Sequence, residues 1–457
     1  MRLCIILLMV LSLSSCDNNK PVGPTILAGR LPDLSSSEII ANTDDQEFIV
    51  SIDAEGYFHT ELDLVRDSYI WFNGVDKFLY LVAGDSMFVS NEDIGSQATV
   101  FTGGESGLIN TWYNVKDSKL YTLLDTVNIN WYYSQDALSY KKLNTWIRSE
   151  FHNLLDQFSR ENPGIGDSFI TLEKENISHY WYYELNVYHF ENKAYTGKEP
   201  DLPDNFYDYL ENVRLNDTLL YQYEGYRYFL YSWLDLQVHL QDKGLKGVDK
   251  TKQIFDIAEN SFSDPRILAD VIWENLRMQN SRMQVDEEIL ARASELGVAE
   301  GQLRAAREYM ERLQSLSAGN PAPDFEIIDV NGKIASLKDF NGKYLLIDVW
   351  SHTCGPCIRE IPRLEDLKHD LEGKNIELIS ICLSPEEPWK NKLGELGLTD
   401  SGQYRLDNGW GSPFNNNYLK GAGTPTYILI DPEGKIVNAR APFPSDGMRE
   451  LIEGLPI

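Results

Sequence analysis

The most constraining stretch of the chain is Tyr344-Leu345-Leu346-Ile347-Asp348-Val349-Trp350, followed three residues later by Cys354-Gly355-Pro356-Cys357 and a helical pattern to about Leu371. A near-continuous apolar run of this length reads as a strand buried on both faces, which needs helices on both sides of a largely parallel sheet. A second such run covers 376–383 and a second helical pattern covers 389–398. Hairpins are expected at 325–337, turning at Asn331-Gly332, and at 427–437, turning at Asp431-Pro432-Glu433-Gly434, with a last helix over 445–455. Two parallel strands with helical crossovers, then a terminal hairpin, predict a three-layer α/β domain over 319–457. The strand-to-helix junction puts Cys354 at or near a helix N-cap, where free N–H groups and the helix dipole favour a thiolate. Cys357 lies one turn in, able to reach Cys354, and Pro356 suits a first turn because it has no N–H to satisfy. A Cys-x-x-Cys pair is also half of many zinc sites. Here no second pair exists and the 7 histidines are scattered, which argues against zinc.

From about Asn320 onward, six ordered motifs resemble the thioredoxin superfamily, specifically its membrane-tethered TlpA/ResA-like disulfide reductases. They are Pro321-Ala322-Pro323-Asp324-Phe325, Leu337-Lys338-Asp339-Phe340-Asn341-Gly342-Lys343, Asp348-Val349-Trp350, Cys354-Gly355-Pro356-Cys357, Glu360-Ile361-Pro362 and Gly423-Thr424-Pro425-Thr426. The resemblance implies a C-terminal thioredoxin-like fold and a redox-active Cys354–Cys357 disulfide, with Cys354 as attacking thiolate and Cys357 as resolving thiol. It implies that Asp348, a carboxylate buried beneath the pair with its pKa raised by burial, accepts the Cys357 proton. It further implies that Glu360 stays near the pair and that Pro425 is a cis-proline against the thiols. The Thr424 backbone would pair with an extended substrate strand, and Trp350 would pack beside the active-site turn. Two positions depart from the family. Thr353 stands where a Trp often precedes the nucleophile, and His352 stands before it, readable as a solvent-facing loop side chain or as a partner of the thiolate. Cys382, inside an apolar strand, reads as a small buried hydrophobe.

The N-terminus reads as a targeting segment. Arg2 precedes an apolar run, 3–13, too short to span a bilayer, and then comes Leu13-Ser14-Ser15-Cys16. That pattern resembles the lipobox of bacterial lipoproteins, implying a signal peptide over 1–15, lipidation at Cys16 and a lipid-anchored tether over 16–24. Of the 5 cysteines, Cys4 leaves with the signal and Cys16 is the lipid site. The expected location is the cell envelope, facing the periplasm.

Short β-type runs at 25–31, 47–52, 57–64, 69–73 and 77–82, separated by Ala54-Glu55-Gly56, Asn73-Gly74 and Gly84-Asp85, predict a small antiparallel β domain over 25–105, a sandwich or barrel. Residues 106–318 predict an all-α middle domain. Leu143, Ile147, Phe151, Leu154 and Phe158 fall on one helix face, and Ile254, Ile257, Ile267, Val271 and Ile272 suggest a helical hairpin. Its aromatics, such as Tyr180-Trp181-Tyr182-Tyr183 and Tyr221 to Trp233, read as helix–helix core, with a glycan or peptide groove as the rival. With 70 acidic against 41 basic residues the formal charge is −29, which repels phosphate backbones and excludes nucleic acid as the expected partner.

The expected function is a membrane-tethered thiol–disulfide oxidoreductase reducing disulfides of exported proteins. No Gly-rich dinucleotide fingerprint is present, so no cofactor is expected and electrons would come from a membrane thiol carrier. Apocytochromes, misoxidised envelope proteins and a dedicated partner all fit as clients. Two alternatives stand beside it. One is a thiol peroxidase of peroxiredoxin type, although Ser351 stands where such enzymes usually want Thr. The other is a glycan- or peptide-binding module with an accessory redox domain.

Overall fold

The computed structural model describes residues 23–457 apart from 33–36, 43–46, 73–76, 92–98, 127–128, 246, 282–284, 399–401, 420–421 and 446. The leader, Cys16, most of the tether and the Asn73-Gly74 turn lie outside the described residues. The chain is multidomain, with β sheets first, a helical middle and a C-terminal α/β sheet. By compactness it divides into two units, 1–125 with 151–174 and 126–150 with 175–457. Sequence texture alone suggests three consecutive blocks; the compact division instead falls inside helices.

In the first unit, strands β1 (Thr25–Arg30), β4 (Tyr57–Leu62), β7 (Ser86–Ser90) and β8 (Val100–Thr102) form one sheet in the order β4-β1-β7-β8. Strands β2 (Glu38–Asn42), β3 (Glu47–Ser51), β5 (Ser68–Phe72) and β6 (Lys77–Leu81) form a second, ordered β3-β2-β5-β6. Alternating apolar residues of both sheets, including Leu27, Leu62, Val89, Ile39, Ile70 and Leu79, enclose one core, so the architecture is a sandwich. One pairing departs from the antiparallel expectation: β1 and β7 run parallel. Parallel neighbours need a long crossover, and the intervening strands β2 to β6 supply it. Helix α1 (Gly104–Thr126) follows. Its Asn110 satisfies both backbone groups of Tyr80, accepting the N–H at 3.0 Å and donating to the carbonyl at 2.7 Å.

Helices α2 (Ile129–Tyr133), α3 (Ala137–Glu161), α4 (Asp167–Thr196), α5 (Glu224–Gln241), α6 (Gly247–Ser261), α7 (Pro265–Ser281), α8 (Glu287–Glu295) and α9 (Glu300–Gln314) make up the rest of the helical region. On α3 the buried positions include Ile147, Phe151, Leu155 and Phe158, with Asn144 among them. The helix turns its face by one residue from the expected stripe, taking Leu155 in place of Leu154. The expected hairpin is α6–α7, buried through Ile254, Ile267, Val271 and Ile272. The aromatic residues mostly pack as core: Trp181, Tyr188, Tyr223, Tyr226 and Phe229 are buried.

The C-terminal sheet contains β9 (Glu326–Asp329), β10 (Ile334–Ser336), β11 (Tyr344–Trp350), β12 (Ile376–Cys382), β13 (Gln403–Arg405), β14 (Thr426–Ile430) and β15 (Ile436–Asn438), in the order β10-β9-β13-β12-β11-β14-β15. Strands β11, β12 and β13 are parallel, and β14 runs antiparallel beside β11. Helix α10 (Gly355–Asp370) follows β11, and α11 (Glu386–Leu396) and α12 (Met448–Glu453) complete the layers. Because side chains alternate on a strand, Leu345, Ile347 and Val349 enter one core. Leu346 and Trp350 go to the other face, where they meet Leu364, Leu367 and the cysteine cluster. Asp348 lies between those two, on the face toward α10.

Candidate active site

Cys354 is the N-cap of α10, and Pro356 occupies its first turn. Cys354 and Cys357 form a disulfide. The Cys357 backbone N–H donates to Cys354 Sγ at 3.1 Å, so this sulfur already faces the helix N-terminus that stabilises negative charge after reduction. Cys354 is 9% exposed and Cys357 1%, and their neighbours Thr353 and Pro356 are exposed. The more accessible sulfur is therefore the one at the cap, as an attacking thiolate requires.

Asp348 sits in the middle of this arrangement. Its register partners are Ser380 on β12 and Tyr427 on β14, so all three side chains share the face toward α10. Asp348 is 2% exposed, and its Oδ1 has no hydrogen-bond partner among the described residues. Burial pushes the Asp348 carboxyl up to about 7; the Ser380 hydroxyl opposes this and the charge of Glu360 adds to it. A carboxyl that titrates near neutrality can take a proton as well as return it, and this one lies on the face toward the helix that carries Cys357. Tyr427 is buried, its hydroxyl without a partner among the described residues, and burial, then the charges of Asp348 and Glu360, push it far above the ordinary tyrosine range. It remains a neutral phenol.

Glu360, one turn beyond Cys357, is buried rather than solvated. Its two oxygens accept the backbone N–H of Ser445 at 3.0 Å and the Ser445 hydroxyl at 2.7 Å. The Thr424–Pro425 peptide is cis, at the entry to β14. Trp350 is 1% exposed and packs with both cysteines. The structure thus brings Asp348, Trp350, Cys354, Cys357 and Glu360 together around the start of α10, with Thr424 and Pro425 at the head of the neighbouring strand.

Comparison with known proteins covers this same region. A family model described as Redoxin matches residues 317–450. Thiol-disulfide oxidoreductase ResA of Bacillus anthracis is 30% identical over 125 residues, 27% of this chain and 69% of that protein. The chain belongs to the ResA-like thiol-disulfide oxidoreductases. ResA of Bacillus cereus matches at 29% over 133 residues, 28% of this chain and 72% of that protein. Among solved structures, the thioredoxin domain of a thiol-disulfide oxidoreductase from Bacteroides vulgatus is 31% identical, covering 30% of this chain and 97% of that one at a TM-score of 0.28. On the Redoxin and ResA matches, this ResA-like protein is a thiol:disulfide oxidoreductase of the thioredoxin superfamily, and the matched region is the last third of the chain.

Four polar partners in this ResA-like site escape sequence reasoning. Ser380 and Tyr427 flank Asp348 only through strand register, and Ser445 reaches Glu360 across 85 positions. Ser384 accepts the His352 N–H at 2.9 Å and lies 2.8 Å from His352 Nδ1. The imidazole is therefore tethered to the end of β12 rather than loose in solvent. None of the four serine or tyrosine positions carries a local signal, because each depends on which strands become neighbours. Cys382 is fully buried opposite Trp350, and burial pushes its thiol up.

Proposed function

We propose that this oxidoreductase works as a reductase of disulfides in exported proteins, tethered to a membrane through lipid on Cys16. The observation that carries the reductive reading is Asp348, a buried carboxyl titrating at about 7 on the face toward the resolving cysteine's helix. The Cys354 thiolate attacks one sulfur of a client disulfide. The client S–S bond breaks, and the released client sulfur takes a proton. Cys357 then gives its proton to Asp348 and attacks Cys354, closing the Cys354–Cys357 disulfide and releasing the second client thiol. Two electrons pass to the client, and a membrane thiol donor returns two to the protein. Glu360, held by Ser445, stays close to Asp348, and Thr424 offers backbone to an extended client strand.

The test is a trap in cells. Cys357→Ser cannot resolve the mixed disulfide, so clients accumulate on Cys354 and mass spectrometry names them. Envelope proteins with paired cysteines are the expected catch. Random thiol proteins alone, or a reduction potential as oxidising as that of strong disulfide donors, would overturn the reductive direction. For the anchor, Cys16→Ala should abolish labelling by a radioactive fatty acid and release the protein from membranes.

A further inference from the structure

The edge of the sheet beside Cys354 carries more than the redox pair. Strands β11, β12 and β13 are parallel, so their C-terminal ends share one edge, and β14 begins there with Thr424-Pro425. Ligands of parallel sheets bind outside such ends. The Leu383 N–H donates to the Trp350 carbonyl at 2.9 Å, tying the end of β12 to the end of β11. The Leu406 N–H donates to the Cys382 carbonyl at 3.1 Å, tying β13 to β12 in the same way. Beyond β13 the backbone of Gly409 presses on the Leu383 carbonyl so closely that a Cβ there would lie 2.3 Å from the oxygen, at a φ of +42°. Only glycine fits. This close approach sets Trp410 beside the segment holding Ser384 and the His352 imidazole. The Trp410 carbonyl is pinned by Asn415 Nδ2 at 2.5 Å, yet the residue is 49% exposed. Half-exposed indoles on a pinned backbone make strong, low-entropy contacts with polypeptide side chains.

We propose that Trp410 is a specificity-determining residue that receives an apolar side chain of an extended polypeptide client. This rests on the reductase reading and names what the client must carry. Neighbouring strands are about 4.8 Å apart, so Trp410, two to three strands from the Cys354–Pro425 slot, is on the order of 10–14 Å away. An extended chain advances about 3.3 Å per residue, which places the recognised side chain about three or four positions from the client cysteine.

Two peptides test this with the reduced full-length protein. Each carries one cysteine disulfide-linked to a fluorescent thiol, and they differ only in Leu or Asp three or four positions from it. The wild type should favour the Leu peptide by about tenfold in kcat/KM, the discrimination one apolar contact supplies. Trp410→Ala should bring the ratio close to one and Trp410→Phe should keep most of it. Trp146→Ala, which removes another exposed indole from α3, should leave the ratio intact. A ratio near one in the wild type, or unchanged in Trp410→Ala, overturns the assignment while leaving the reductase reading standing. Failure of the wild type to reduce either peptide overturns both.

Discussion

Replacing Asp348 with Asn removes one ionisation and leaves nearly the same shape. In the folded protein this carboxyl is pushed from its ordinary 3.8 to about 7 by burial. That displacement corresponds to about 4 kcal/mol. The folded state holds the Asp348 proton more tightly than the unfolded chain does. Stability is therefore lost as pH rises from about 4, and the whole penalty is present once pH passes about 7. Asn has no such term. The stability difference, Asn variant minus wild type, should climb by about 4 kcal/mol between pH 4 and pH 8, whatever constant offset the amide introduces. Guanidinium denaturation of the oxidised proteins, with the Cys354–Cys357 disulfide intact, measures it through the transition that includes the C-terminal sheet. The same variant should slow resolution of a mixed disulfide about a hundredfold at pH 7, because Cys357 loses its proton acceptor. A stability difference that stays level from pH 4 to pH 8 would refute the reasoning, since an exposed or well-partnered carboxylate behaves that way.

Three further outcomes follow from the structure. Ser445→Ala removes the hydroxyl's hydrogen bond to the buried Glu360 carboxylate, leaves the backbone N–H bond in place, and should cost about 1–3 kcal/mol in denaturant unfolding at neutral pH, more than an exposed serine would. Glu184 is buried, accepts the hydroxyls of Tyr133 and Tyr140 at 3.0 Å each, and is pushed up to about 7 by burial; Glu184→Gln should be stabilising relative to wild type at pH 8 and not at pH 4, read by thermal unfolding at both. Ile347→Ala empties a fully buried position of β11 and should cost about 2–5 kcal/mol, read by denaturant unfolding.

What could be read from the sequence follows a physical division. Tyr344–Trp350 and the start of α10 are legible because a doubly buried strand is apolar throughout and a helix start advertises itself through its cap and its proline. Strand β13 was not, since three residues, Gln403–Arg405, cannot show a period. Strand β2 holds only a short apolar run, Ile39-Ile40-Ala41, between Glu38 and Asn42, and β8 is three residues long. At the site, the sequence motifs point to Asp348 and Glu360, but not to what makes them chemically unusual. Asp348 is raised by desolvation that depends on β12 and β14 closing over it, and Glu360 is buried because a serine 85 positions later folds back onto it. The solvent-facing reading of His352 failed for the same reason, its partner Ser384 being supplied by another strand.

The boundary expected near residue 318 shows how much such distant contacts matter. Arg359 and Arg363 lie one turn apart on α10. The Arg359 guanidinium lies 3.5 Å from Glu191 and 5.3 Å from the centre of the Tyr195 ring, while Arg363 donates to the Ala194 carbonyl. All three partners belong to the last turns of α4. Arg359 and Glu191 have only 17% and 15% of their side chains exposed, so this pair is shielded in a way surface pairs are not. Burial pushes the Glu191 carboxyl up, the Arg359 guanidinium opposes this and the charge of Glu360 adds to it. The helix that carries Cys357 is therefore held on two sides, by its own sheet through Leu364 and Leu367 and by α4 through the two arginines. Texture divides the chain at a Gly- and Pro-containing linker. Compactness does not: it keeps the end of α4 and the redox helix in one unit.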